Sequence, residues 1–257
     1  MNALGGVAVA ALAFGTSTAV AQAPERLADL FARARPAIVA VGTAQPQRLP
    51  GFEFRGTGFV VDDGRTVVTN AHVVPVAIDT QRGESLVIAV PGRDGDIQVR
   101  EARLLRGSPD TDLALLRLEG MPLPSLSLSA GTGMREGDDV AIIGYPLGSV
   151  LGLHPAIHRG IVAAVTPLAL PTRQARQLDP RGVARLRQGP LSLYQLDATA
   201  HPGHSGSPVL DPRSGNVIGI LNAVLVRTGK EGVLPHPSGI SYAVPVRHLV
   251  DLMNETR

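Results

Sequence analysis

The chain has 257 residues, with 24 Lys and Arg against 22 Asp and Glu, for a formal net charge of +2. At 44% hydrophobic and 18% charged residues, it carries enough apolar side chain for a packed core, which excludes an intrinsically disordered chain. Twenty-nine glycines and 21 prolines, with no cysteine, call for many turns and rule out a disulfide framework, so the composition suits an all-β protein better than a helical bundle.

The first segment, Leu4 to Ala23, has no charge and ends in small residues. "AVA" (Ala19–Ala21) and "AQA" (Ala21–Ala23) both fit the small-x-small cleavage rule of a secretory signal. Pro24 disfavours the second site, so cleavage after Ala21 is expected. The opening "MNALGG" lacks the usual Lys or Arg, which leaves a retained anchor as the alternative for residues 1–23. The segment is too short and too rich in small residues for a membrane span, and nothing later is long and apolar enough. A periplasmic or secreted protein is expected.

In "PERLADLFARARP", Leu27, Leu30, Phe31 and Ala34 share one helical face and Pro36 ends the run, which predicts a short lead-in helix. The pattern then changes to strands: "AIVAVGTA", "GTGFVVDD", "TVVTNAHVV", "SLVIAVPG", "QVREARLLR" and "LALLRLE". "DDGR" (Asp62–Arg65) predicts a hairpin turn, because Asp and Gly tolerate positive φ. A second strand set follows: "DVAIIGYP", "HRGIVAAVTP", "LYQLDA", "SPVLD", "NVIGILNAVLV" and "GISYAVP". Leu249, Val250, Leu252 and Met253 predict a closing helix. Short, regularly spaced strands mean a sandwich or barrel. The expected division is 24–120 for the lead-in helix and first β unit, 121–136 for a linker, and 137–257 for the second unit with its helix.

Pro167–Leu191 is long and weakly patterned, as functional or mobile loops are. Within it, Thr172–Gln188 holds five arginines and no aromatic residue, while Lys230 is the chain's single lysine. Such a run reads as a solvated loop, and no nucleic-acid partner is expected.

The chemistry concentrates in "HPGHSGSPVLD", His201 to Asp211. A serine at neutral pH needs a base to take its proton, and the base needs a partner that fixes its tautomer. It also needs backbone N–H groups aimed at the developing oxyanion. Gly203, without a Cβ, can turn its N–H into a concavity beside that of Ser205. "TNAHVV" offers His72 directly after a strand, and "DTDLALLRL" offers Asp112 at the start of one. Each taken alone suits an ordinary turn or cap residue. His72, Asp112 and Ser205 are spread over both β units, as loops converging on a cleft would be.

Together, "GTGFVVDDGRTVVTNAHVV", "DTDLALLRL", "LPSLSLSAGTGMREGDDVAIIGYPLG", "RGIVAAVTP", "LDATAHPGHSGSPVL" and "GISYAVP" resemble the trypsin-like serine proteases of the HtrA/Deg branch. The resemblance runs from about Ala37 to Val246. It implies two perpendicular six-stranded β-barrels, an all-β fold with the active site between the barrels. It implies Ser205 as nucleophile, His72 as general base then acid, Asp112 orienting His72, and the N–H groups of Gly203 and Ser205 as the oxyanion hole. No cofactor or metal is implied. The expected activity is that of an exported endopeptidase cutting unfolded or exposed protein segments; the alternative is a protease-fold peptide-binding or chaperone-like protein with a resting site. The family implies that the Pro202–Gly203 peptide has two states, which the 167–191 loop could bias.

Three departures stand out. The family's Asn before the serine is His204 here, for which a plain structural role is preferred over a pH-sensitive one. Ser207 replaces the usual Gly after Gly206, as in glutamyl-endopeptidase-like relatives. The chain stops soon after "YAVP", so a protease domain without PDZ domains is expected, and its oligomeric state, monomer or trimer, stays open. The pocket for the residue before the scissile bond (P1) is expected from Thr199, Ala200, Leu221, Asn222 and Ala223. Neither a carboxylate nor a histidine stands there, so a small or medium apolar P1 side chain is expected. His154 and His158 are spaced as a helical metal pair, but Pro155 argues for a loop and against a metal site. His201, His236 and His248 read as loop or surface residues, and Tyr145 and Pro146 as scaffold.

Overall fold

The computed structural model describes residues 26–91, 97–130, 133–168, 191–223 and 239–256. The expected signal segment, most of the 167–191 loop, Lys230 and His236 lie outside these residues.

Helix α1 (Leu27–Ala34) buries Leu30 and Ala34, and Leu27 and Phe31 pack on the same core, as their helical spacing predicts. Six antiparallel strands follow: β1 (Ile38–Ala44), β2 (Phe52–Val61), β3 (Thr66–Asn70), β4 (Ser85–Pro91), β5 (Ile97–Ser108) and β6 (Leu113–Leu118). They close into a barrel in the order β1-β2-β3-β6-β5-β4. β7 (Asp139–Gly144), β8 (Ala156–Leu168), β9 (Leu191–Asp197), β10 (Pro208–Leu210), β11 (Val217–Asn222) and β12 (Ile240–Pro245) form the second closed barrel, ordered β10-β11-β12-β9-β8-β7. A one-turn helix α2 (Gly148–Leu151), not foreseen, follows β7, and α3 (Val246–Asn254) ends the fold with Val246, Leu249 and Leu252 buried.

Each barrel has its own apolar filling. Val39, Val41, Val60, Val67, Ile88 and Leu116 form one cluster, and Val140, Ile142, Val162, Leu196, Val209 and Leu221 another. The intervening residues of β1, Ile38 and Ala40, join a third cluster with Phe59, Tyr145, Leu249 and Leu30. Strand alternation thus sends one face into a barrel and the other toward its neighbours. The Asp62 and Gly64 turn between β2 and β3 has φ of +56° and +76°, as its residues predict.

One strand is shorter than its apolar pattern suggests. β3 stops at Asn70, and Ala71–Val73 form a 3₁₀ turn. Two bonds to the carbonyl of Asp112, from the Ala71 N–H and the Asn70 amide, each 3.0 Å, draw the chain off the strand path. Beyond β6 the chain runs along both barrels: the Leu126 N–H donates to Val60 (2.8 Å), the Ser129 N–H donates to Val217 (2.9 Å), and the Val217 N–H donates to Ser127 (2.8 Å).

Candidate active site

Strand register brings His72 and Asp112 together. Asn70, the last residue of β3, pairs with Leu113, the first of β6, so the residues just past these two ends lie side by side. Asp112 has φ +53°, a left-handed conformation that Asp adopts more readily than most residues. Its carboxylate accepts from the His72 backbone N–H (2.9 Å, Oδ1) and meets His72 Nδ1 at 2.6 Å through Oδ2. This holds the proton on Nδ1 and leaves Nε2 with a free lone pair. The same Oδ2 accepts from Asn222 Nδ2 at 2.7 Å, a contact from the end of β11 in the other barrel. Asn222, expected to line a substrate pocket, therefore directs its amide at the aspartate.

Ser205 sits in the turn before β10 and is buried. The turn is closed by the His204 N–H on His201 (3.0 Å), the Ser207 N–H on His204 (2.9 Å) and the Gly206 N–H on Leu221 (3.0 Å). Gly203 and Gly206 have φ of +97° and +86°. A Cβ on Gly206 would strike the Thr57 carbonyl, and one on Gly203 would come 2.7 Å from Phe54 Cε1, so conformation and space both require glycine here. Among the described residues the N–H groups of Gly203 and Ser205 donate to nothing, and no hydrogen bond joins Ser205 Oγ to His72 Nε2. Such bonds are often long in ligand-free enzymes and tighten with substrate. The Pro202 carbonyl accepts from the Leu147 N–H at 2.8 Å. In a planar trans peptide this points the Gly203 N–H the opposite way.

Thr57 on β2 fastens this turn to the first barrel. Its N–H donates to Ser205 O (2.9 Å), its hydroxyl donates to Gly203 O (2.7 Å), and the same hydroxyl accepts from the Tyr145 N–H (3.0 Å). The Tyr145 hydroxyl donates to Ile38 O at 3.1 Å across the barrels, and burial pushes its pKa up. Tyr145 is scaffold, as expected. Thr57 carried no signal in the sequence, because its partners are distant in the chain.

The other expected pocket residues divide. Thr199, Ala200 and Ala223 are half-buried, while Leu221 is fully buried in the second barrel's core. His158 lies in strand β8, so the helical pairing with His154 does not form. His158 and His201 flank His204, with ring centroids 4.9 Å and 5.9 Å from it. His201 thus lies in a loop, as expected, but half-buried at the start of the serine turn, and His248 is half-buried within α3. Burial, with the His158 and His201 rings alongside, drives the pKa of His204 down to about 3. Burial, with His201, also lowers that of His158.

The sequence profile of the trypsin-like peptidase domain matches residues 56–220, a stretch holding His72, Asp112 and Ser205. A protein of Halomonas elongata named "Probable periplasmic serine endoprotease DegP-like" is 31% identical over 202 residues, covering 79% of this chain and 35% of that protein. One of the same name from Pseudomonas fluorescens is 27% identical over 239 residues, covering 91% of this chain and 41% of its own length. This chain therefore spans well under half the length of these relatives. Among solved structures, the HtrA-type protease AlgW with a tripeptide has a TM-score of 0.62 at 28% identity, covering 89% of this chain and 62% of that one. The serine endoprotease from Yersinia pestis shares the fold, with a TM-score of 0.61 at 23% identity over 91% of this chain and 68% of its own.

Proposed function

Because the chain belongs to the trypsin-like peptidase family and to its HtrA type, we propose that it is an exported serine endopeptidase with Ser205 as nucleophile. Ser205 Oγ attacks the peptide carbonyl as its proton passes to His72 Nε2, and Asp112 stabilises the resulting imidazolium. The N–H groups of Gly203 and Ser205 receive the oxyanion. His72 then protonates the departing amine, leaving an acyl-enzyme, and activates the water that hydrolyses it. The observation that carries this reading is the Asp112 carboxylate, bound at once by the His72 ring and, from the other barrel, by Asn222.

The substrates are unfolded or exposed protein segments, as suits a cleft between two barrels that must admit an extended chain. Thr199, Ala200 and Ala223 are small and uncharged, which favours a small or medium apolar P1 side chain. A periplasmic or secreted location follows from the composition of residues 4–23 and agrees with the names of the relatives.

A fluorophosphonate probe tests the reading. Wild type is expected to label, and Ser205→Ala and His72→Ala are not. A folded wild type that fails to label would point instead to a peptide-binding protein with a resting site. Peptide-library cleavage dominated by Arg, Lys or Glu at P1 would overturn the specificity.

A further inference from the structure

His204 is fully buried immediately before Ser205, a costly place for an imidazole unless its polar atoms are used. Its Nδ1 accepts the backbone N–H of His201 at 3.1 Å, while its own N–H donates to the His201 carbonyl at 3.0 Å. The turn from His201 to His204 is therefore closed twice, once through backbone and once through the ring. Pro202 and Gly203 lie inside this double closure, and their shared peptide carries the Gly203 N–H.

Accepting at Nδ1 fixes the neutral tautomer, with the proton on Nε2. Nε2 is buried and has no hydrogen-bond partner. The His158 ring stands edge-on to the His204 ring, at an interplanar angle of 80°. Metal binding by the three histidines does not fit this tautomer. A metal on His204 Nε2 would move the proton to Nδ1, against the His201 N–H. Among the described residues no group of three His, Cys, Asp or Glu side chains could hold a metal. The ring's low pKa keeps the Nδ1 lone pair available through the neutral range.

We propose that His204 is a positioning residue for catalysis: by holding the His201 amide at Nδ1, it fixes the Pro202–Gly203 peptide that presents the oxyanion-binding N–H. Leu147 on the Pro202 carbonyl and Thr57 on the Gly203 carbonyl hold the same unit from outside, and His204 holds it from within. The inference rests on the serine-peptidase reading for its catalytic consequence, but the pin itself can be measured without turnover.

The test compares His204→Asn, whose side-chain oxygen can accept the same N–H, with His204→Leu, which fills the site without an acceptor. Amide hydrogen exchange at His201, followed by NMR in the full chain, reads the pin. Turnover of a peptide substrate and the rate of fluorophosphonate labelling read its consequence. In wild type and His204→Asn the His201 amide is expected to exchange slowly, with kcat within about threefold of each other. His204→Leu is expected to speed that exchange at least tenfold and to lower kcat by about 10- to 100-fold with KM little changed, the mark of a lost transition-state contact. His204→Ala serves the same comparison if the leucine variant does not fold. Slow exchange retained in the folded acceptor-free variant overturns the proposal, as does an equal loss of kcat in Asn and Leu. If wild type neither labels nor turns over, the peptidase reading fails, and the exchange contrast still decides whether His204 pins the turn.

Discussion

Asn222 Nδ2 lies 2.7 Å from Asp112 Oδ2, the oxygen that also meets His72 Nδ1 at 2.6 Å. The aspartate thus has a donor from each barrel, and its orientation depends on both. Replacing Asn222 by Ala removes the donor from the second barrel, and kcat/KM is expected to fall about tenfold, or about 1.4 kcal/mol of transition-state stabilisation. Asn222→Asp should cost more, because a second carboxylate would crowd Asp112 and compete for the His72 proton. Steady-state kinetics on a peptide substrate measures both.

Thr57→Val preserves shape and removes the hydroxyl that donates to Gly203 O and accepts from the Tyr145 N–H. Two backbone groups lose their partner, at about 1–3 kcal/mol for each buried group. The variant should unfold at lower denaturant concentration and label more slowly with a fluorophosphonate, since the lost bond holds Gly203 in the turn that carries Ser205. A midpoint shift without a labelling change would confine Thr57 to a role in stability.

Gly206→Ala asks a Cβ to occupy the space of the Thr57 carbonyl at a φ of +86°. The change should destabilise by more than about 2 kcal/mol and abolish labelling even where folded protein is recovered. Gly107→Ala, on β5 with open space around its Cβ position, serves as the tolerated comparison in thermal denaturation.

The pKa of His204 is about 3 in the folded chain, against about 6.5 when unfolded. Between these values the unfolded state holds the extra proton, so stability falls as pH drops below about 6.5 and levels off near the folded value. Above that window the group contributes no pH dependence. One such group gives a slope of at most about 1.4 kcal/mol per pH unit, and His158, lowered in the same direction, adds to it. Denaturant titrations across this range should show a shallower slope for His204→Asn than for wild type.

The strands were legible because both faces of most of them are buried and their boundaries carry Gly, Pro and Asp. The turn at Asp62 and Gly64 could be read from residue chemistry alone. His72, Asp112 and Ser205 each read alone as an ordinary turn or cap residue, and it is the family resemblance of the motifs around them that picks them out together. What stayed hidden depends on separation in sequence. The Thr57 hydroxyl meets a carbonyl 146 residues away, and a threonine in an apolar strand gives no sign of that. Asn222 looked like a pocket wall because its partner lies 110 residues back. His201 reads as a loop or surface residue, and it does lie in a loop, but the barrel places His158 of β8 beside it and half-buries it. The end of β3 is legible only in part: His72 is expected just past a strand, as it is, yet Val73 and Val74 continue the apolar pattern, and the tertiary bonds to Asp112 are what break it.

The fastening of Ser205 and Gly203 to Thr57, and of Asp112 to Asn222, also makes the site a joint product of the two barrels. His72 and Asp112 belong to the first barrel, while Ser205 stands on a turn of the second that is held from the first through Thr57. On the proposed serine-peptidase reading, the first barrel alone holds the base without the nucleophile, so reactivity is a property of the two docked barrels and not of either one.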